Sequence, residues 1–522
     1  MRQRPHTVQR KRPFRNPVIA GFHPDPSICR VRDDFYLITS SFEYFPGVPI
    51  FHSRDLVHWR QLGHVLTRAS QLDLRGMRSS GGIYAPTLRH ARGRFYVVTT
   101  NVGGGGHFLV TAKRPEGPWS DPIWIDDDGI DPSLLFDGES VYYTRDGKGP
   151  DFDHPLVYQG KIDVETGKID GGLRPIWSGT GGIWPEGAHL YKVGTTYYLM
   201  AAEGGTGYDH CEVVARSSQP FGPFEPYPGN PIVSHRLHRN DPVQATGHAD
   251  LVELADGTWW AVLLGIRPRG GRHHHLGRET FLAPVTWTRD GWPLIGEGGR
   301  IEVEATGPAL ARTRLPRAPT RDDFDGRDLA PEWNFVRNPY RRDWSLSERP
   351  GHLRLLGSSV TLDQVDSPAL VVRSQQHFAV RCSAAVEFSP RRPNEEAGLT
   401  VRSNEDFRYD LAICLGKFGL EAVLRQRVGG RSRVVRRRSM KEGRLTLEVR
   451  ASAETYRFFV GPPGGLQPLG SLATRPLSAE TVGASGRSYF TGTRIGLYAT
   501  GNGSLSTVPA DFDWFDYVPG AD

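Results

Sequence analysis

The sequence has few cysteines and no long hydrophobic run, and each shortage excludes a class of protein. Its four cysteines, Cys29, Cys211, Cys382 and Cys414, lie far apart and match no metal-binding spacing such as C-x-x-C. Buried reduced thiols are therefore expected. The longest apolar run, Trp259–Ile266, is far shorter than the roughly 18 residues that a membrane helix needs, so no membrane partner is expected.

The N-terminal segment lacks acidic residues, and it also lacks the apolar stretch of a secretory signal. Residues 1–24 hold six basic side chains, while the rest of the chain holds equal numbers of basic and acidic ones, for a net charge of +6. The excess charge therefore belongs to a flexible tail, which we place at residues 1–15, and not to a groove for nucleic acid. These features predict a cytoplasmic protein with no nucleic-acid partner.

Glycine and proline are abundant, with 61 and 40 residues among 522, which favours many turns and an all-β fold. The chain is also too long for one ordinary core. The residue composition changes after Ile301, where a stretch rich in proline and arginine precedes further segments with the alternating pattern of strands. We therefore predict a first unit at 16–303, a linker at 304–320 and a β-sandwich at 321–522.

Residues 16–300 contain five copies of one hairpin pattern. In each copy an aliphatic anchor residue is followed, seven or eight residues later, by an aromatic-rich strand. The anchors are Ile28, Leu88, Leu134, Leu190 and Leu251. Copies begin 46 to 61 residues apart, close to the length of a four-stranded blade. Five such units predict a five-bladed β-propeller, because radial closure removes exposed sheet edges.

Acidic residues recur just before these anchors. Asp25 and Asp131 stand three residues ahead of theirs, and Glu186 stands four ahead, which we attribute to one extra residue in that copy. Ala85 and His248 occupy the equivalent positions in the other two copies. Because equivalent positions of a propeller point at one central pocket, three carboxylates and a histidine are predicted to converge there.

Glycoside hydrolysis is typically catalysed by a pair of carboxylates that face one ligand. One acid must hold a proton for the leaving oxygen, and another must be ionised to activate water or to attack carbon. A third acid helps to separate these states, because like charges raise one pKa. Taken singly, Asp25 or Asp131 is more typical of a turn, and a calcium cage is the competing explanation of the cluster.

Seven stretches in chain order resemble glycoside hydrolase family 43, in its β-xylosidase and α-L-arabinofuranosidase branch with a C-terminal concanavalin-like jelly roll. They are GFHPDPSICRV at 21–31, SSFEYFPGVPIFHSRDLVHW at 40–59, SSGGIYAPT at 79–87, GIDPSL at 129–134, GGIWPEGAHLY at 181–191, ATGHAD at 245–250 and HLGRET at 275–280. The resemblance implies an inverting reaction with Asp25 as general base and Glu186 as general acid. Asp131 would orient Glu186 and raise its pKa.

The resemblance also implies residues that contact the substrate. Phe42 is a candidate sugar platform, with a core aromatic as the alternative, and Arg278 is a candidate for binding sugar hydroxyls. Ala85 leaves room for the sugar ring, and Phe490 of the sandwich closes the pocket. His248 is implied to face the channel. Some relatives hold a calcium ion or an ordered water beside such a histidine, so His248 is a candidate calcium ligand, although no cofactor is expected to be required.

The predicted function is an exo-acting inverting hydrolase that releases terminal xylose, arabinose or both from xylo- or arabino-oligosaccharides. Dual or β-xylosidase activity is narrowly favoured. Two alternatives stay open: a retaining propeller hydrolase of fructosides with Asp25 as nucleophile, and a propeller that binds carbohydrate without catalysis. The expected partner is the small pentose oligosaccharide, and a homo-oligomer is compatible with the sequence.

Overall fold

The computed structural model describes residues 11–148, 155–313, 315 and 319–520. In these residues five antiparallel sheets of four or five strands are followed by two eight-stranded sheets. The predicted five-bladed propeller and C-terminal sandwich are thus confirmed. The helices in the described ranges are Ala479–Ala484 and the 3-10 turns Arg341–Asp343 and Arg475–Leu477, and no helix there has the length and apolar character to cross a membrane.

Each blade is one sheet, and its innermost strand carries the anchor of one predicted repeat. Blade I contains Ser27–Val31, Asp34–Ile38, Gly47–Ser53 and Arg60–Leu66, and blade II contains Gly82–Ile83, Thr87–Ala91, Arg94–Val102, Gly106–Ala112 and Ile123–Asp126. Blade III contains Ile130–Asp137, Ser140–Gly147, Leu156–Ile162 and Ile169–Trp177, and blade IV contains Glu186–Val193, Thr196–Glu203, Cys211–Ser217, Glu225–Pro226 and Val233–Ser234. Blade V contains Gln244–Glu253, Trp259–Ile266, Glu279–Trp287 and Pro293–Ile295. All five predicted aromatic-rich strands form, each beside its innermost strand.

The chain before blade I is fastened to the chain around blade V. Pro13–Arg15 pairs antiparallel with Glu304–Thr306, and the side chain of Asn16 donates to two backbone carbonyls, Leu282 O and Glu302 O, both at 3.0 Å. These bonds satisfy backbone groups at both ends of the propeller and hold the ends together.

The predicted tail and linker therefore extend too far. Residues 13–15 and 304–306 lie in paired strands, because backbone pairing, which composition alone does not reveal, holds them in a sheet. The first ten residues of the predicted tail, and residues 314 and 316–318 of the predicted linker, lie outside the described residues.

An ion pair between the fully buried Asp250 and the partly buried Arg89 connects all five blades. Asp250 of blade V is fully buried and accepts hydrogen bonds from Arg89 of blade II at 2.8 and 3.2 Å, from the Ser27 hydroxyl of blade I at 2.6 Å and from the Tyr191 hydroxyl of blade IV at 2.7 Å. Arg89 Nε also donates to the backbone oxygen of Leu134 in blade III at 3.1 Å. One carboxylate and one guanidinium thus set the positions of the innermost strands.

The sandwich encloses the largest hydrophobic core of the described chain. Its first sheet contains Arg321–Asp322, Trp344–Ser345, Leu353–Leu356, Val380–Glu387, Leu445–Ala451, Thr455–Gly461, Gln467–Ala473 and Pro509–Pro519. Its second sheet contains Tyr44–Phe45, Asn334–Val336, Ala369–Ser374, Glu396–Arg402, Arg408–Gly416, Gly419–Val428, Arg431–Ser439 and Arg494–Thr500.

One strand of the second sandwich sheet comes from the propeller. Tyr44–Phe45, in the loop between the second and third strands of blade I, pairs antiparallel with Asn334–Val336. Beside this joint, the fully buried Arg337 of the sandwich donates to Met77 O of the propeller at 2.5 Å and to the carboxylate of Glu405 at 2.8 Å. The two units therefore share a sheet and a buried hydrogen bond from a charged donor.

Candidate active site

All eight residues predicted for the site line one cavity of about 90 Å³ where the innermost strands of the blades begin. These residues are Asp25, Phe42, Ala85, Asp131, Glu186, His248, Arg278 and Phe490. The structure adds Tyr84, Ile130, Trp184 and Thr206, which the sequence patterns did not single out. Residues from blades I to V and from the sandwich therefore meet in one small space.

The backbone presents three of these residues in the same way. Asp25, Asp131 and His248 each have φ of 54°, in the left-handed region that few non-glycine residues adopt. In blades III and V the strand register also shifts at this point, which is the mark of a β-bulge. Bulges turn side chains toward sites, and the strained conformation costs on the order of 1–3 kcal/mol per residue. The repeat thus predicted three structurally equivalent positions.

Glu186 stands at a different position of its blade. It pairs with Ala202 just before a bulge, as Ile130 pairs with Asp146 in blade III. Gly187, with φ of 61°, therefore takes the left-handed position that Asp131 and its equivalents hold. The expectation of an extra residue in this copy is wrong, because the register contains no insertion and the acid simply stands one position earlier.

Gly187, beside Glu186, must be glycine because it lacks a side chain as well as because its backbone is left-handed. A Cβ atom on Gly187 would lie 2.8 to 2.9 Å from three atoms of the His248 ring, closer than real contacts allow. The backbone N–H of Gly187 donates to Asp131 Oδ2 at 3.1 Å. Asp131 and His248 therefore fix the backbone from which the Glu186 side chain projects.

Asp25 is buried and accepts hydrogen bonds on both carboxylate oxygens. Arg278 Nη1 donates to Oδ1 at 2.8 Å, and the Ser40 hydroxyl donates to Oδ2 at 2.5 Å. Nδ1 of His248 lies 4.0 Å from Oδ1. An ionised carboxylate only accepts hydrogen bonds, so these two donors suit one, and the positive charge of Arg278 offsets the negative charge of Asp25.

Glu186 has the opposite environment. Burial raises its pKa to about 7, the negative charge of Asp25 contributes to the rise, and Arg278 opposes it. Burial also raises the pKa of Asp131 well above its ordinary value, with Asp146, Glu186 and Asp25 adding repulsion. The raised pKa of Glu186 thus comes first from burial and next from Asp25. The direct contact of Asp131 is instead with the backbone next to Glu186.

Asp146 is a fourth buried carboxyl beside the site, and the sequence patterns did not reveal it. Burial and then repulsion from Glu186 raise its pKa well above the ordinary value. Its Oδ1 accepts a hydrogen bond from the backbone N–H of Ile130 at 3.3 Å, at the start of the innermost strand of blade III. It lies on the second strand of the blade, outside the repeated positions, which is why the pattern missed it.

Arg278 connects the two units at the cavity. Its guanidinium lies 5.6 Å from the ring centroid of Phe42 and 5.7 Å from that of Phe490, within reach of cation–π attraction. It contacts the Thr206 hydroxyl at 3.1 Å and donates to the backbone oxygen of Phe490 at 3.3 Å. Its Nε is buried and has no hydrogen-bond partner in the described part of the chain.

Three aromatic rings form one wall of the cavity. Phe42, Tyr84 and Phe490 pack against one another with ring centroids 5.0 to 5.9 Å apart. The backbone N–H of Phe490 donates to the Ser80 hydroxyl at 3.2 Å, and the Tyr84 hydroxyl donates to Ser80 O at 2.9 Å. Phe42 is only 1% exposed, so it belongs to the core of the joint as well as to the wall, and it is not an open platform.

The donors near His248 do not fit a calcium ion held by protein alone. Within the residues that the structure describes, no group of three or more His, Cys, Asp or Glu side chains is arranged to hold a metal ion. Calcium takes six to eight oxygen ligands, whereas the ring of His248 faces Asp25, already bound by Arg278 and Ser40. Burial also lowers the pKa of His248, which favours a neutral ring.

Two models of known protein families match the chain. The model described as Glycosyl hydrolases family 43 matches residues 14–293, and the model described as Beta xylosidase C-terminal Concanavalin A-like domain matches residues 321–518. Together they cover both the propeller and the sandwich.

The chain also resembles individual proteins along nearly its whole length. It is 48% identical over 513 residues to the non-reducing end alpha-L-arabinofuranosidase BoGH43B of Bacteroides ovatus, covering 97% of this chain and 94% of that protein. It is 39% identical over 519 residues to a xylosidase/arabinosidase of Butyrivibrio fibrisolvens, covering 96% and 98%. The solved structure of the Bacteroides ovatus xyloglucan PUL GH43B matches with a TM-score of 0.94 at 47% identity, covering 98% of this chain and 100% of that one.

Proposed function

We propose, from the premise that the chain belongs to glycosyl hydrolases family 43 and is a glycosidase, that it releases single terminal pentoses with inversion of configuration. Arabinofuranose is the favoured sugar, because the relative at 48% identity is named an alpha-L-arabinofuranosidase. Xylose is the second candidate, since the relative at 39% identity is named a xylosidase/arabinosidase. This order differs from the narrow preference for dual or β-xylosidase activity that the sequence suggested.

The observation that carries the proposal is the contrast between Asp25 and Glu186 within one cavity. Asp25 accepts hydrogen bonds from the charged Arg278 and from Ser40, as an ionised base does. Glu186 has a pKa raised to about 7 by burial and by Asp25, so it still holds a proton near neutral pH. A base and an acid with separated protonation states are what hydrolysis of a glycosidic bond needs.

In the proposed reaction Asp25 takes a proton from a water molecule as the water oxygen attacks the anomeric carbon. The bond from that carbon to the leaving oxygen breaks, and Glu186 gives its proton to the departing oxygen. Asp131 acts through its hydrogen bond to Gly187, which fixes the backbone of the acid. Its proposed role is therefore positioning, in addition to electrostatic coupling with Glu186.

Arg278 and the wall residues are proposed to select the sugar. Arg278 lines the cavity, where its guanidinium contacts Asp25 and Thr206, and its positive charge is proposed to bind a sugar hydroxyl there. Ala85 holds the equivalent of the acid positions without a side chain that would fill the space. The neutral ring of His248 lies where it can contact a second hydroxyl.

The size of the cavity supports exo action. Its volume of about 90 Å³ is far below the roughly 300–1,000 Å³ of pockets that enclose larger ligands, so it suits one sugar ring. Phe490 of the sandwich forms part of its wall. An oligosaccharide would then enter by its terminal sugar alone.

The test uses arabinofuranoside and xyloside substrates and follows the first-formed product by proton NMR. Inversion predicts that an α-L-arabinofuranoside yields β-arabinose first and that a β-xyloside yields α-xylose. Glu186→Gln should lower kcat/KM on an alkyl arabinofuranoside by about 10²-fold or more, because the leaving oxygen then departs unprotonated. Product of unchanged configuration would instead support the retaining route with Asp25 as nucleophile, and unchanged turnover in Glu186→Gln would contradict the assignment of the acid.

We also propose that the reaction requires no cofactor. Treatment with EDTA should leave kcat/KM unchanged, and a loss that added calcium restores would contradict this. A cytoplasmic location, favoured by four buried free cysteines, and a homo-oligomer remain predictions for cell fractionation and light scattering to test.

A further inference from the structure

Trp184 is an exposed aromatic residue that the proposed reaction does not use. It lines the cavity, yet it is 53% exposed, and its neighbour Ile183 is 59% exposed. A single exposed apolar residue is ordinary, but Trp184 belongs to the lining of the cavity, so a ligand that extends out of the cavity can cover it.

The backbone holds Trp184 in a conformation that a large residue rarely adopts. Its φ is 51°, in the left-handed region, and the following Pro185 restricts it further. The backbone oxygen of Ile183 accepts a hydrogen bond from Gly204 N at 2.9 Å, which fastens this segment to the next turn of blade IV. Such strain persists only where the surroundings enforce it, and it is concentrated at functional sites.

The indole rests on the backbone of Gly205. A Cβ atom on Gly205 would lie 2.9 and 3.0 Å from two carbons of the Trp184 ring, so only glycine allows this contact. His210 is buried, and its Nδ1 donates to Gly205 O at 2.7 Å, which supports the turn from inside. The next residue, Thr206, contacts Arg278 at 3.1 Å. The ring is therefore held on a turn that is itself fixed to the cavity.

We propose that Ile183 and Trp184, supported by Gly205, form a platform that binds the leaving-group sugar, a six-membered ring that places its apolar C–H face on the indole. The proposal rests on the proposed function. Since Glu186 protonates the leaving oxygen, the leaving group lies on the Glu186 side of the broken bond. Only Pro185 separates Trp184 from Glu186 in the chain, and both side chains line the same cavity.

The chemistry of the platform explains why a tryptophan stands there. A flat aromatic surface offers a large apolar contact at little conformational cost, and the C–H face of a pyranose is its complement. The cavity behind holds the pentose that is released, while the platform stays open to solvent. Leaving groups of different length can therefore extend away from the enzyme.

The central experiment compares two substrates in the variant Trp184→Gly. Glycine adopts the left-handed backbone without strain, so the ring is removed while the turn is kept. On a disaccharide of arabinofuranose linked to a pyranose, kcat/KM should fall about tenfold or more, because uniform binding of the leaving group is lost. On methyl arabinofuranoside, whose leaving group is too small to cover the platform, the loss should be at least about fivefold smaller than on the disaccharide. Trp184→Phe should keep most of the activity on the disaccharide.

Trp124→Ala is the matched control, because Trp124 is 48% exposed on blade II and does not line the cavity. It should leave both substrates unchanged. Equal losses of Trp184→Gly on both substrates would overturn the platform, and so would undiminished turnover of the disaccharide.

A binding measurement separates this proposal from the proposed function. Calorimetric titration of Glu186→Gln with the disaccharide gives a Kd that does not depend on turnover, and adding Trp184→Gly should weaken it about tenfold. An unchanged Kd, or no binding to Glu186→Gln at all, would overturn the platform. A wild-type protein that hydrolyses neither pentoside would refute the proposed function, while the two Kd values would still decide on the platform.

Discussion

Removing the charge of Glu186 should stabilise the protein while lowering its activity. The variant Glu186→Gln keeps the shape of the side chain but never ionises. In the folded protein burial, followed by the charge of Asp25, raises the pKa of Glu186 from 4.5 to about 7. The folded chain therefore holds this proton more tightly than the unfolded chain does, which links stability to pH.

The sign and size of the change in the free energy of unfolding follow from the two pKa values. Below about pH 4.5 the carboxyl is protonated in both states, and the full free energy of unfolding is present. As pH rises from about 4.5 to 7 the unfolded chain gives up its proton first, so the free energy of unfolding falls. Above pH 7 the loss is complete, at about 3 kcal/mol from about 1.36 kcal/mol per pKa unit.

Calorimetric unfolding of wild type and variant at pH 5 and pH 8 measures this effect. The glutamine variant should be more stable by about 3 kcal/mol at pH 8 and by about 1 kcal/mol or less at pH 5. The control Glu139→Gln changes a fully exposed carboxyl and should leave stability unchanged at both pH values. In the wild type, kcat/KM should fall as pH rises through about 7, because the same proton is needed for catalysis.

Two results would refute this reasoning. If Glu186→Gln were no more stable than wild type at pH 8, the carboxyl would not be strained by burial. If the gain were the same at pH 5 and pH 8, its source would be packing and not ionisation. In either case the assignment of Glu186 as a proton-holding acid would lose its physical basis.

Three further predictions concern the surroundings of the acid. Asp250→Asn should lower the free energy of unfolding by up to about 3–5 kcal/mol, because it leaves the partly buried Arg89 without its charge partner; denaturation measures this, and the double variant with Arg89→Met should regain part of the loss. Gly187→Ala should lower kcat/KM about 10²-fold, because a Cβ atom 2.8 Å from the His248 ring displaces the acid; activity within about threefold of wild type would contradict this. Phe490→Ala should raise KM for a pentoside by about tenfold, whereas an unchanged KM would show that the sandwich contributes nothing to the cavity.

The blades could be predicted from the sequence because each carries its own local signal. An anchor such as Leu134 and a strand such as Ser140–Gly147 lie in one hairpin, and five repetitions of that hairpin leave closure as the way to protect the edges. The repeat also predicted that Asp25 and Asp131 converge. It could not assign their roles, since protonation depends on burial and on neighbours from other blades.

The rest of the site depends on features that have no periodic signal. Glu186 stands one position outside the repeat, and only the strand register reveals that Gly187 replaces it there. Trp184 and Thr206 lie in loops whose conformation is set by contacts between segments. The strand Tyr44–Phe45 is two residues long, and its partner Asn334–Val336 lies some 290 residues further along the chain. No local pattern predicts such a pairing.

That pairing also bears on how proteins of this kind can be recombined. A propeller expressed without the sandwich would expose the edge of Tyr44–Phe45 and would lose Phe490 from its cavity. The catalytic apparatus is therefore one structural unit, although it is built from a propeller and a sandwich. Chimaeras that exchange the sandwich alone would have to rebuild both the shared sheet and the sugar-binding wall, so the natural segment for domain shuffling is the whole chain from Pro13 to Pro519.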